Sequence, residues 1–177
     1  VDSTLRGNIR AETSVLRDGL GFSLTVFAPA YPGNRRTAVN GLLLLDGVPV
    51  AETEMGRDPR KPAATSSLAE CLQGKEIAGA RQVSLDEIRK GMVPAILERA
   101  GFRGNFCFDS ETEEDLELIA RSVLASVPAE DVLWVGSAGL AGALVSSVRP
   151  VLLVVGSLSP RSVLQAGHVI KKGMAAP

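Results

Sequence analysis

Histidine is almost missing from this chain. His168 is the only one, set on a predicted helix with no partner acid or nucleophile in view, which disfavours a Ser-His-Asp hydrolase. Cysteine is nearly as scarce. Cys71 and Cys107 fall in unrelated contexts, a predicted helix and a predicted strand, without metal-ligand spacing; they read as free thiols of a reducing compartment. No apolar run approaches the roughly 20 residues of a membrane span; the longest, Val151–Val155 with its neighbours, is far too short. An excess of either charge is lacking too, since 19 Lys and Arg face 20 Asp and Glu. That balance leaves no electrostatic footprint for nucleic acid or an acidic membrane, although a small anion needs only a few local donors. No signal-peptide pattern opens the chain, and the cytoplasm is the expected location. The opening residues, Val1 to Asn8, read like the interior of a protein, so a larger parent polypeptide is expected.

What is present fits a folded α/β protein. The hydrophobic fraction of 45% and charged fraction of 22% over 177 residues argue for an ordered core and against disorder. Asn8 reads as an N-cap before a helix with Ile9, Val15 and Leu16 on its apolar face and Gly19 as its stop. Leu24–Ala28 is a short strand feeding the turn-rich 29–36 loop. Leu42–Leu45, Asp46-Gly47 and Val48–Ala51 form a predicted β-hairpin. A long polar loop runs from Glu52 to Thr65, a length usually tied to function or disorder. Beyond it strand and helix alternate. A helix capped by Ser67 and Glu70 runs through Leu72, and a strand follows near Ala80–Val83. A helix capped by Ser84 and Glu87 carries Ile88, Val93, Ile96 and Leu97 to Gly101. Next come a strand at Asn105–Phe108, a helix at Glu113–Val127, a strand at Val132–Val135 and a helix at Ala138–Val148. A strand at Val151–Val155 and a helix at Ser159–Lys171 close the pattern. The fold class is therefore α/β: a mainly parallel sheet flanked by helices, with a β-hairpin insertion. Ligands of such sheets collect at the carboxyl ends of strands, which points to 29–36, Asp109-Ser110 and 136–139.

Four clusters carry candidate chemistry, each with a plainer alternative. Asp2-Ser3-Thr4-Leu5-Arg6-Gly7-Asn8 gathers an acid, two hydroxyls, a guanidinium and an amide before a helix. Arg6 could fork onto a carboxylate while Asp2 accepts from hydroxyls; the alternative is a capped helix start with solvated polar groups. Arg57-Asp58-Pro59, with Glu52, Thr53 and Glu54 just upstream, could form a mobile loop closing over a small polar ligand, or a solvated loop with a local ion pair. Gly136-Ser137-Ala138-Gly139 could bring backbone amides to an anion, or could serve close helix–sheet packing. Gly156-Ser157-Leu158-Ser159-Pro160 could face a phosphate, or could simply cap a helix at Ser159 with Pro160 in its first turn.

Taken in order, these pieces resemble the four-carbon acid sugar kinases, some members of which carry the label Hrp-dependent type III effector-like. The resemblance rests on Val1-Asp2-Ser3-Thr4-Leu5-Arg6-Gly7-Asn8, Ala28-Pro29-Ala30-Tyr31-Pro32, Arg36-Thr37 with Gly41, and Asp46-Gly47-Val48-Pro49 with Thr53. Arg57-Asp58-Pro59, Val135-Gly136-Ser137-Ala138-Gly139-Leu140 and Gly156-Ser157-Leu158-Ser159-Pro160 complete it. It implies an ATP-dependent, Mg²⁺-assisted kinase that phosphorylates the terminal hydroxyl of threonate, erythronate or a 3-oxo-tetronate. Residues 1–149 would be the sugar-acid-binding domain, without its first strand, and 150–177 the beginning of the nucleotide-binding domain. The resemblance further implies that Asp2, Ser3, Thr4, Arg6 and Asn8 contact the sugar acid, with Arg57 and Asp58 beside them. Asp2 and Asp58 are candidates for the catalytic acid–base role, and Ser157 and Ser159 for the first nucleotide contacts. Family members place a strand and an Asp-Asp turn upstream of the signature, which this chain lacks, and usually a Cys where Leu158 stands. By itself this polypeptide is therefore expected to bind rather than to turn over. A homo-oligomer is compatible with this reading. Three other readings stay open: a non-catalytic sugar-acid-binding remnant, a nucleotide-binding α/β domain of another enzyme, and an effector-like interaction protein.

Overall fold

The computed structural model describes residues 5–73 and 79–147. Its elements in chain order are α1 (Ile9–Leu20), β1 (Leu24–Ala28), β2 (Arg36–Val39), β3 (Leu42–Leu45), β4 (Val48–Pro49) and α2 (Leu68–Leu72). They continue with β5 (Ala80–Val83), α3 (Leu85–Arg89), α4 (Val93–Arg99), β6 (Gly104–Phe108), α5 (Glu113–Leu124), β7 (Val132–Gly136) and α6 (Ala138–Ser147). Four parallel strands form one sheet in the order β5-β6-β1-β7, and β2-β3-β4 form a separate antiparallel sheet. The α/β class with an inserted hairpin is as the sequence predicts. Among the described residues no helix is long and apolar enough to cross a membrane.

The two-residue period of a strand explains how the core divides. From β1, Leu24, Val26 and Ala28 face one cluster, joined there by Phe106 and Phe108 of β6, Val132 of β7, and helices α3 to α6 through Ile88, Ile96, Leu116 and Leu140. The intervening Phe27, Cys107, Leu133 and Val135 face a second cluster with Leu5, Ile9, Leu43, Val50, Leu68 and Leu72. All five residues of β1 are buried because helices or hairpin cover both faces and a strand lies on each side. Burial raises the thiols of Cys71 to about 11 and Cys107 to about 12, so both are inert structural residues.

Three local expectations are corrected. First, α1 buries Ile9, Thr13 and Ser14, whereas Val15 and Leu16 are exposed. Its inward stripe is partly polar, and its left-handed C-cap is Gly21 rather than Gly19. Second, the helix expected from Ser84 to Gly101 is two helices. Gly91 adopts φ +69° and ends the first, and Pro94 sits in the opening turn of the second. Third, the hairpin is a three-stranded meander. The unforeseen β2 pairs with β3 through Asn40-Gly41, both at positive φ, as a type I′ turn requires. The Ser84–Glu87 capping box is present in full. At α2, Ser67 accepts from the Glu70 amide, but the Glu70 carboxylate takes the Thr65 hydroxyl instead of closing the box.

Candidate functional site

The carboxyl ends of the parallel strands are already occupied by the protein. Ser137 donates to the Ala30 carbonyl at 2.5 Å and accepts from the Gly139 amide. A Cβ on Gly136 would collide with Leu140 and lie 2.5 Å from the Ala28 carbonyl, and one on Gly139 would lie 3.0 Å from the Ala30 carbonyl. These glycines serve close helix–sheet packing. At the end of β6, Asp109 accepts from the Gly41 amide at 2.9 Å and from Gln82 Nε2 at 2.7 Å. Ser110 and Ala38 exchange both backbone hydrogen bonds beside it. Asp109 therefore staples the meander to the parallel sheet.

Burial pushes the Asp109 carboxyl above its usual range; hydrogen bonds from Gly41, Asn40 and Gln82 oppose this without overcoming it. With the folded pKa raised, the folded state holds the proton more tightly than the unfolded one. Its contribution to stability is full below 3.8 and is lost as pH rises through the raised folded value. Melting curves taken across that window should show this decline, and Asp109→Asn should flatten it. A variant with the same pH slope as the unaltered chain would exclude Asp109 as the source.

An open cleft lies beside the start of α1. Leu5 holds φ +58°, a left-handed backbone uncommon for a large side chain, and buries that side chain in the second core. Arg6 next to it enters the cleft and donates from Nη1 to Asp58 Oδ2 at 2.5 Å. Glu54, Met55, Arg57 and Pro59 line the rest of a cavity of about 500 Å³, the size of an ordinary small-molecule site. The first part of the predicted 52–65 loop folds as a double turn: 3-10 turns at Val50–Glu52 and Glu54–Arg57 abut at Thr53. Thr53 caps the second turn through Met55 N, and the Ala63 amide closes onto the Met55 carbonyl at 2.9 Å.

Asp58 is tied on both oxygens. While Oδ2 takes Arg6, Oδ1 accepts from the amides of Arg60 at 2.8 Å and Lys61 at 3.2 Å, an Asx turn of the kind Asp-Pro favours. The two backbone amides, with Arg6 adding to them, hold its carboxyl below the usual range. Asn8 makes no capping bond to α1; its Oδ1 accepts from Lys61 Nζ at 2.8 Å. Arg10 donates to the Glu70 carbonyl at 3.0 Å. Residues 6, 8 and 10 are thus each joined to the 58–70 segment.

Of the sequence-predicted site residues, Arg6, Arg57 and Asp58 meet in one cleft, and Asn8 is joined to the same segment through Lys61. Asp2, Ser3, Thr4, Ser157 and Ser159 lie outside the described residues. Met55 and Lys61 escaped the sequence reading; only the Asp58-Pro59 turn signal, which places Lys61 three residues past Asp58, could have found the lysine.

A parallel sheet covered on both faces, with a cleft of two arginines and two carboxylates beside its first helix, defines an α/β domain suited to a small polar ligand. The family described as a sugar-binding N-terminal domain matches residues 1–144. D-threonate kinase of Salmonella typhimurium is 35% identical over 186 residues, covering 99% of this chain and 43% of that protein. D-erythronate kinase of Heliobacterium modesticaldum is 30% identical, covering 90% of this chain and 39% of that one. Among solved structures, a Bordetella bronchiseptica protein with bound citrate, a domain-swapped dimer, aligns with a TM-score of 0.67 at 29% identity, covering 98% of this chain and 44% of that one. The chain belongs to the four-carbon acid sugar kinase family, in its sugar-binding N-terminal domain. It spans less than half the length of these relatives.

Proposed function

We propose that this chain is the sugar-acid-binding part of an ATP-dependent kinase that phosphorylates the terminal hydroxyl of threonate, erythronate or a 3-oxo-tetronate. The observation that carries this reading is the cleft in which Arg6 meets Asp58, beside Arg57 and Glu54. Guanidinium groups suit a carboxylate in forked geometry, and carboxylates accept from hydroxyls. The ligand matched to such a mixture carries one acid and several hydroxyls. Relatives named D-threonate, D-erythronate and 3-oxo-tetronate kinase, and a relative solved with bound citrate, support this chemistry.

In this reading Arg6 anchors the carboxylate and orients the ligand. Asp58, with both oxygens engaged and a lowered pKa, is a weak base and serves as the anchor of Arg6. The acid–base role accordingly passes to Asp2, with Ser3 and Thr4 as further contacts. Residues 1–149 form the sugar-acid domain, and 150–177 begin the nucleotide domain, with Ser157 and Ser159 as its first ATP contacts. Among the described residues no three acidic, imidazole or thiol groups converge to hold a metal ion, and Mg²⁺ is assigned to the ATP it accompanies. The setting is the cytoplasm, and the assembly a homo-oligomer, in keeping with the domain-swapped Bordetella relative.

The test is a calorimetric titration with D- and L-threonate, D-erythronate and the 3-oxo acids, each with and without Mg-ATP. Binding of one sugar acid in the absence of ATP is expected. ATP binding with indifference to every sugar acid would replace this reading with a nucleotide-binding domain.

A further inference from the structure

Two carboxylates line the cleft, and they are not equivalent. Asp58 already accepts from Arg6 on one oxygen and from the Arg60 and Lys61 amides on the other, which nearly fills the roughly four acceptor sites of a carboxylate. Glu54 lines the same cavity, and among the described residues its carboxylate takes part in no hydrogen bond or ion pair. A partner stands close by in sequence. Glu54 and Arg57 are the first and last residues of one 3-10 turn, and residues three apart in such a turn eclipse one another. Even so, no ion pair joins them; the Arg57 guanidinium reaches back to the Glu52 carbonyl, at 3.4 Å. Glu54 thus lines the cleft with its whole accepting capacity unspent.

A carboxylate accepts and does not donate. It repels another carboxylate and matches a hydroxyl; against a carbonyl oxygen it sets two acceptors face to face. We infer that Glu54 is a specificity-determining residue of the sugar-acid site, accepting from one hydroxyl of the ligand while the ligand's own carboxylate lies toward the arginines. The inference rests on the sugar-acid reading above. It narrows the ligand to an acid with a hydroxyl, not a carbonyl, on the carbon that meets Glu54. A site built around a hydroxyl rejects the analogue that lacks it far more strongly than an apolar pocket rejects a missing methylene.

The deciding experiment is a calorimetric comparison of Glu54→Ala with the unaltered chain. The probes are D-threonate and D-erythronate, each beside the dihydroxybutanoates that lack its 2-, 3- or 4-hydroxyl. Removing a negative charge from an anion-binding cleft would by itself tighten the binding of every acid. The inference predicts the opposite for the full sugar acid, which should bind about 10- to 30-fold more weakly, the scale of one hydrogen bond to a charged group. For the deoxy acid that lacks the hydroxyl read by Glu54, the variant should bind as well as the unaltered chain or better. Glu54→Gln, which keeps a neutral acceptor of the same shape, should fall between the two. The melting temperature should not move.

Two results would overturn the inference while leaving the sugar-acid site in place. One is binding of both sugar acids by Glu54→Ala at full strength or tighter. The other is a loss of equal size for all the deoxy acids, which would mark a disturbed turn rather than a lost hydroxyl contact. If the unaltered chain binds neither D-threonate nor D-erythronate, the sugar-acid reading falls and this inference with it.

Discussion

Arg6→Ala is expected to reduce sugar-acid binding at least about 50-fold, the loss that follows when a charge-assisted hydrogen-bonded pair with a carboxylate is removed. Two effects add. The ligand carboxylate loses its fork, and Asp58, no longer matched by a cation, turns the cleft more negative at the place where an anion must sit. The fold should survive. Leu5, not Arg6, is the core residue of this turn, and the Arg6–Asp58 pair is partly open to solvent, with side chains 27% and 29% exposed. Pairs in that setting contribute at most about 1 kcal/mol to stability, so melting should shift by no more than about 4 °C. Calorimetry and a melting curve on the same sample decide the matter. Binding that survives the substitution would remove Arg6 from the site and take the proposed function with it.

Gly56→Ala is expected to damage the same cleft by a different route. A Cβ at this position would run into the backbone carbonyl oxygen of Ala51, where the two 3-10 turns press together. Backbone cannot swing aside as a flexible side chain can, so the turns must separate. Overpacking of this kind costs about 1–3 kcal/mol, or about 2–12 °C in melting temperature for a chain of this size. Glu54, Met55, Arg57 and Asp58 all hang on the second turn, and sugar-acid binding should drop about 10-fold or more as their positions loosen. Gly142→Ala makes a suitable control: its Cβ would meet nothing within 4 Å, and alanine favours a helix over glycine by about 0.5–1 kcal/mol. Should Gly56→Ala melt and bind like the unaltered chain, the double turn is not what shapes the cleft.

How far the sequence foretold this structure depends on the range of the interactions involved. The strands at Leu24–Ala28 and Val132–Val135 and the helix at Glu113 announce themselves by local periodicity and caps, and all are present. The missed strand β2 was also legible locally, through Asn40-Gly41, a strong hairpin signal overshadowed by the apolar run after it. The facing of α1 was not, because Thr13 and Ser14 turn inward where polarity suggests solvent. In the site, the composition of each cluster could be read, but not their meeting. Arg6 and Asp58 are 52 positions apart and Asn8 and Lys61 are 53 apart; no periodicity reports such a pairing. The glycines of 136–139 admitted two uses on paper, and only the nearness of the Ala28 and Ala30 carbonyls decided for packing.

The three cross-links from residues 6, 8 and 10 to the 58–70 segment have a consequence for the order of assembly. Each spans 52 to 60 positions, and between their ends lie β1 and the whole meander. Closing such long loops costs entropy that only the packed sheet can offset. The helix at Ile9 can form early and locally, but the cleft beside it comes into being late, once the meander has docked. In a refolding experiment, recovery of helical signal should therefore run ahead of recovery of ligand capture. During synthesis, a nascent chain should be blind to its ligand until the segment around Glu70 has left the ribosome.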